Sequence, residues 1–136
     1  NMLVKFILSE ENDKLEPAFQ NQVPLCDDPM GMKLSPTNKT LLVTCAKNNE
    51  VLAFDTETLS LVGKDSPGDE PVGNGPVSVW FDQRDAHTGS NPARAYVSYW
   101  EGGRIGVFEV NEASSNRLRP LGVVFEPAPS NHPGGK

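Results

Sequence analysis

Long apolar runs are missing from this chain of 136 residues. No stretch approaches the roughly 20 consecutive apolar residues that a membrane helix needs, so no membrane span is expected. Basic clusters are missing too. Lys and Arg number 12 against 18 Asp and Glu, a formal net charge of −6. That balance removes the phosphate-neutralising surface on which nucleic-acid binding rests and disfavours an anionic membrane as partner. Cysteine is scarce: Cys26 and Cys45 are too few for a disulfide scaffold and lack metal-ligand spacing. Histidine is equally scarce, with only His87 and His132. The Gly-x-Ser-x-Gly elbow, His-Glu-x-x-His and Cys-x-x-Cys-His patterns do not occur, so no catalytic constellation is assigned. A charged-then-apolar leader is absent, but Asn1 is not an initiator Met, and a mature or cut product is an open expectation.

The chain is 37% hydrophobic and 22% charged, enough apolar material for one packed domain and unlike a disordered segment. Twelve Gly and twelve Pro punctuate it, and that density breaks a chain into short extended pieces joined by turns. The pieces alternate with period two or form short runs rich in Val, Leu, Phe and Tyr, which is how strands read. Strands are predicted over Met2–Leu8, Met30–Ser35, Thr40–Ala46, Val51–Asp55, Leu59–Val62, Val77–Phe81, Ala93–Trp100, Arg104–Val110 and Leu118–Phe125. The intervening turns are mostly of hairpin length, such as Ser35-Pro36-Thr37-Asn38-Lys39 and Lys47-Asn48-Asn49.

The pattern repeats. Thr40–Asp55 lies over Arg94–Glu109 without a gap, a shift of about 54 residues, within the range of repeat architectures. Val43 falls on Val97, Thr44 on Ser98, Val51 on Ile105 and Phe54 on Phe108. Upstream, Pro29–Ser35 falls on Pro76–Asp82, and the second copy carries a longer first loop, Gln83 to Pro92. Val4–Leu8 matches Gly106–Val110, and Asn131-His132-Pro133 resembles Asp27-Asp28-Pro29. Four antiparallel strands per unit at this period suggest a β-propeller blade.

With Ser35-Pro36-Thr37-Asn38-Lys39 and Leu42-Val43-Thr44 in the first copy, and Tyr96-Val97-Ser98-Tyr99 in the second, the chain resembles the YVTN-type β-propeller repeat family. Asp82-Gln83 departs from the Ser-Pro of that pattern. The reading is an all-β fold of four-stranded antiparallel meanders, a partial or fragmentary propeller. Residues 1–28 supply the last strands of a preceding blade, 29–75 a complete blade, 76–130 a second with the inserted hairpin loop, and 131–136 the start of another. A stand-alone β-sandwich of nine strands is the alternative.

Candidate sites follow from position. Tyr99 and Trp100 end a strand beside Arg104, where aromatic rings and a guanidinium can stack on a sugar or flat ligand; packing between blades is the other reading. Trp80 takes the innermost-strand position equivalent to Lys33, to line a central channel or fill the gap between blades. Asp82, Asp85 and His87 in the inserted loop are candidate ligands for a metal such as calcium, against a merely solvated hairpin extension. The loop from Asp65 to Pro71 has the same two readings. His132, just before the Pro that opens a blade, is a candidate ligand-binding, metal-ligating or basic residue. Cys26 and Cys45 are expected near one strand end, Cys45 facing Met30, either as a disulfide or as two buried thiols.

The expected function is a binding or scaffold module that recognises a protein, glycan or small ligand through face loops. Its remaining partners are further blades of the same polypeptide, or other chains, completing the ring. What the resemblance implies beyond this is an alternative: part of a lactonase-like hydrolase or periplasmic oxidoreductase whose active site lies mostly outside these residues. It also implies an extracytoplasmic location, periplasmic, secreted or at the cell surface. Fold alone does not choose among these.

Overall fold

The computed structural model describes residues 1–11, 13–65, 74–101 and 103–125. They form β1 (Met2–Glu11), β2 (Lys14–Pro24), β3 (Pro29–Leu34), β4 (Thr40–Cys45), β5 (Glu50–Asp55), β6 (Leu61–Asp65), β7 (Asn74–Phe81), α1 (Gln83–Thr88), β8 (Ala93–Glu101), β9 (Ile105–Val110) and β10 (Leu118–Phe125). β1 and β2 pair as a hairpin, while β3–β6 and β7–β10 each make a four-stranded sheet in chain order. Every pairing is antiparallel. The fold is all-β, two up-and-down propeller blades with a hairpin packed on the first.

Period-two alternation gives the first blade two buried faces. Leu42, Val51 and Ala53 point into one cluster with Val79, Ala95, Val97, Phe108 and Leu118 of the second blade. Val43, Leu52 and Phe54 point the other way, into a cluster with Leu3, Val23 and Leu25 of the hairpin and its trailing segment. The middle strands are buried on both sides and therefore read as near-continuous apolar runs. Each fully buried Leu or Val contributes roughly 1.5–3 kcal/mol relative to exposure. The registers Val43↔Leu52 and Val97↔Gly106 put equivalent residues of the two blades on equivalent faces. Val43 faces the hairpin as Val97 faces the first blade.

The blades approach most closely at β3 and β7. A Cβ added to Gly31 would lie 2.7 Å from the Val77 carbonyl oxygen and 3.2 Å from Ser78 Cα, so only glycine admits the neighbouring backbone. Thr44 closes the same contact. Its hydroxyl accepts the Gly31 N–H at 2.9 Å and donates to Val77 O at 2.9 Å.

Two local readings change. The simple hairpin register places Met30 opposite Cys45. Pro29 takes that position instead, because a bulge between Pro29 and Gly31 leaves Met30 unpaired. The inserted segment is a short helix as well as a loop: the Asp82 carboxylate caps it, and Gly89, at φ 65°, closes it. Its side chains bury nothing, so it leaves no apolar period in the sequence. His132, the segment 131–136 and most of the Asp65–Pro71 loop lie outside the described residues.

Candidate functional site

One end of the two-blade stack gathers the β3 start, the β4–β5 turn, the β7 start and the β8 end. Asn49 has φ 58°, a left-handed conformation that Asn tolerates and that closes the turn Ala46–Asn49. Its side chain then crosses to the next blade. Nδ2 donates to Asn74 Oδ1 at 2.8 Å, and Oδ1 accepts the Gly75 N–H at 2.8 Å. Asn74 Nδ2 in turn donates to Glu101 at 3.1 Å. Gly75 sits at φ 64°, and a Cβ there would come 3.3 Å from Trp100 Cβ. The tryptophan stands against a backbone wall tied to both blades.

The opposing wall is held covalently. Cys26 and Cys45 form a disulfide with Cα atoms 6.0 Å apart, and Cys45 is completely buried. The bond fixes the segment Asp27–Asp28 beside the end of β4, where the Ala46 N–H donates to Asp28 O and the Asp27 N–H to Asn48.

Between these walls lies an open groove of about 400 Å³ lined by Asp28, Met30, Ala46, Lys47, Gly75, Val77, Trp100 and Glu101. Trp100 is 80% exposed. The repeat sets Trp100 where the first blade has Ala46 and Glu101 where it has Lys47. The blade itself therefore does not need a large ring at this position. A ligand in the groove meets an aromatic face, a thioether, two carboxylates and one ammonium, a mainly apolar lining with a few polar groups as ligand clefts have.

The other residues singled out by position are placed elsewhere. Alternation along β8 separates Tyr99 from Trp100, sending Tyr99 into the core between the blades. Burial, then the nearby Asp65 charge, pushes the Tyr99 phenol far above its ordinary range, and its hydroxyl has no hydrogen-bond partner among the described residues. Burial also raises the Asp65 carboxyl. Arg104 is half-buried and outside the groove lining; its carbonyl accepts the Tyr99 N–H at 3.1 Å. Trp80 stacks on Tyr96, ring centroids 6.0 Å apart, on the far face of the second blade.

Asp82, Asp85 and His87 are drawn into the helix and its surroundings rather than into a cation cage. Asp82 accepts the Arg84 N–H at 2.9 Å, and that bond, helped by the Arg84 guanidinium, holds its carboxyl below the usual range. Asp85 accepts the Arg94 N–H at 2.8 Å, while His87 is exposed in the last turn. Among the described residues no three His, Cys, Asp or Glu side chains gather as a metal site.

At the opposite end of the stack, sequence pattern misses the residues that lock the blades. Glu112 accepts from the hydroxyls of Ser35, Thr37 and Thr40 of the first blade. Arg117 donates to Asp55 at 2.8 Å, to Lys39 O and to Thr40. These residues lie in turns, and no local period shows which turn a side chain will reach.

No family model and no curated protein matches the chain. A solved structure, the PQQ-bound form of an aldose sugar dehydrogenase from Streptomyces coelicolor, is similar in fold, with a TM-score of 0.50 and 24% sequence identity. The likeness covers 76% of this chain and 31% of that one, so this chain spans about a third of its length. What it supports is the β-propeller fold.

Proposed function

We propose that this chain is a binding segment of a β-propeller of the YVTN type, recognising a flat ring that bears hydroxyl groups, a sugar ring in the first place. The observation that carries the reading is Trp100, 80% exposed, in a groove that also holds Asp28, Lys47 and Glu101. An aromatic face covers the apolar side of such a ring, while carboxylates accept its hydroxyl protons and the ammonium donates to its oxygens. The Cys26–Cys45 disulfide supports work in an oxidising, extracytoplasmic compartment. No helix among the described residues is long and apolar enough to cross a membrane.

A second reading, part of a propeller enzyme, draws on the fold likeness to the dehydrogenase. The groove does not fit PQQ, the group bound in that dehydrogenase. PQQ is an anionic tricarboxylate, whereas the groove sets Asp28 and Glu101 against a single cation, Lys47. On this reading the segment supplies wall rather than reacting groups.

Titration of Trp fluorescence and isothermal calorimetry with a monosaccharide and disaccharide panel test the proposal. Saturable binding should weaken at least about tenfold in Trp100→Ala, with the thermal melt unchanged because the ring is exposed. Binding unaltered by that substitution, or none up to 10 mM sugar, overturns it. Turnover of a lactone, or of an aldose with an artificial electron acceptor, by this chain alone favours the enzyme reading instead.

A further inference from the structure

Asn38-Lys39-Thr40 is the one place in the sequence where an Asn, a residue other than Pro, and a Ser or Thr follow in order. That order is the acceptor motif for oligosaccharide transfer to an Asn amide in exported proteins. The fold puts it at the tip of the β3–β4 hairpin. The Ser35 N–H donates to Thr40 O and the Asn38 N–H to Ser35 O, both at 2.8 Å, closing the turn with Asn38 at φ 62°. Asn38 is exposed, and its backbone is pinned, since its carbonyl accepts the Thr56 hydroxyl at 2.7 Å. The turn does not itself call for the motif, because Gly or Asp also tolerates the left-handed conformation.

We propose that Asn38 is an N-glycosylation site, filled before the two blades dock. The donor is an oligosaccharide carried on a lipid diphosphate. Asn38 Nδ2 attacks the anomeric carbon of the first sugar and a C–N bond forms. The C–O bond to the diphosphate breaks, the lipid diphosphate leaves, and the amide gives up one proton to the transferase. This modification requires the extracytoplasmic location proposed above, which the Cys26–Cys45 disulfide supports, and does not depend on what the Trp100 groove binds.

The fold sets the order of events. The motif is defined by the hydroxyl of its third residue, and Thr40 is completely buried. Its hydroxyl donates to Glu112 at 3.3 Å and accepts from Arg117 at 3.1 Å, both on the turn of the second blade. Once that turn has docked, the hydroxyl is out of reach, so the sugar is attached while the chain is still open. The fold also sets where the glycan stands. β3 and β4 run between the Trp100 groove and this turn, six residues each, or about 20 Å. A glycan on Asn38 therefore occupies the end of the blade opposite the groove and leaves the groove open.

Secretion of the chain from yeast behind a cleavable leader tests this, with the intact mass read before and after treatment with a peptide N-glycanase. The expected product carries one oligosaccharide, which the enzyme removes while converting Asn38 to Asp in the tryptic peptide Leu34–Lys39. Asn38→Asp keeps the turn and removes the acceptor nitrogen, so it should be secreted, folded by circular dichroism and free of glycan. Asn38→Gly takes its place if that variant fails to fold. Given detergent-solubilised transferase and lipid-linked donor, the reduced and unfolded chain should accept the sugar and the folded chain should not. A secreted wild type with its disulfide formed and no glycan overturns the proposal and leaves the location standing. A chain retained in the cell with both cysteines free overturns the location and the proposal with it. Transfer to the folded chain as fast as to the unfolded one overturns the proposed order.

Discussion

Arg117 and Asp55 meet across the boundary between the two blades, guanidinium to carboxylate at 2.8 Å, with both side chains more than four-fifths shielded from solvent. Arg117 also donates to the Lys39 carbonyl and the Thr40 hydroxyl. The Asp55 carboxylate is further shaped by its own turn, accepting N–H bonds from Glu57 and Thr58. Replacing Arg117 by Met removes the charge-assisted bonds while keeping much of the stem, and should destabilise the chain by about 1–3 kcal/mol in urea unfolding. No loss of stability would show that the blades are not clasped here.

The same carboxylate sets a pH dependence. The Thr58 N–H foremost, then the Arg117 guanidinium, hold Asp55 below the usual carboxylate value, against an opposing effect of burial. A depressed folded-state pKa means that the stabilisation is complete above the unfolded value, about 3.9, and is lost as pH falls through the folded one. The stability gap between wild type and Asp55→Asn should therefore stay constant from pH 7 to pH 5 and shrink below about pH 4. A gap that closes between pH 7 and pH 5 would assign the effect to another group.

Gly31→Ala tests how closely the blades pack. The new Cβ would meet Val77 O at 2.7 Å, a backbone atom that no rotamer change moves aside. The sheets must separate locally, at a cost of about 1–3 kcal/mol. Thermal unfolding of the variant reads this; an unchanged melting temperature contradicts the approach of β3 to β7.

Reduction of Cys26–Cys45 opens a loop with a sequence separation of 19 residues. On the loop-entropy account the loss is about 3 kcal/mol. Urea unfolding with and without a phosphine reductant measures it, and a mass increase of about 2 Da on reduction, one hydrogen atom on each sulfur, confirms the bond. Any ligand binding in the Trp100 groove should weaken too, because the disulfide holds its Asp28 wall.

Much of the fold is legible from residues alone, because β4 and β5 are buried on both faces, β8 and β9 on at least one, and all four carry dense β-branched and aromatic runs between hairpin turns. The gapless match of Thr40–Asp55 to Arg94–Glu109 already implies that Val43 and Val97 face the same way, as they do. Helix α1 is not legible, since its six residues bury no side chain. Nor is the bulge at Met30, which shifts the partner of Cys45 by one residue. In the candidate site, Trp100 is readable as a large ring where the first blade has Ala46, and period two places it opposite Tyr99. Asn49, Glu112 and Arg117 are invisible in the pattern. Each acts across the blade boundary, and which turns meet there is decided by the stacking of whole sheets.

Side-chain NOEs test that stacking most directly. Blades packed face to face predict contacts from Leu42 and Ala53 methyls to Val97 and Phe108, and from Val43 and Leu52 methyls to Leu3 and Val23. Hα–Hα contacts between β4 and β8, the signature of the two stretches interleaved in one sheet, would contradict it.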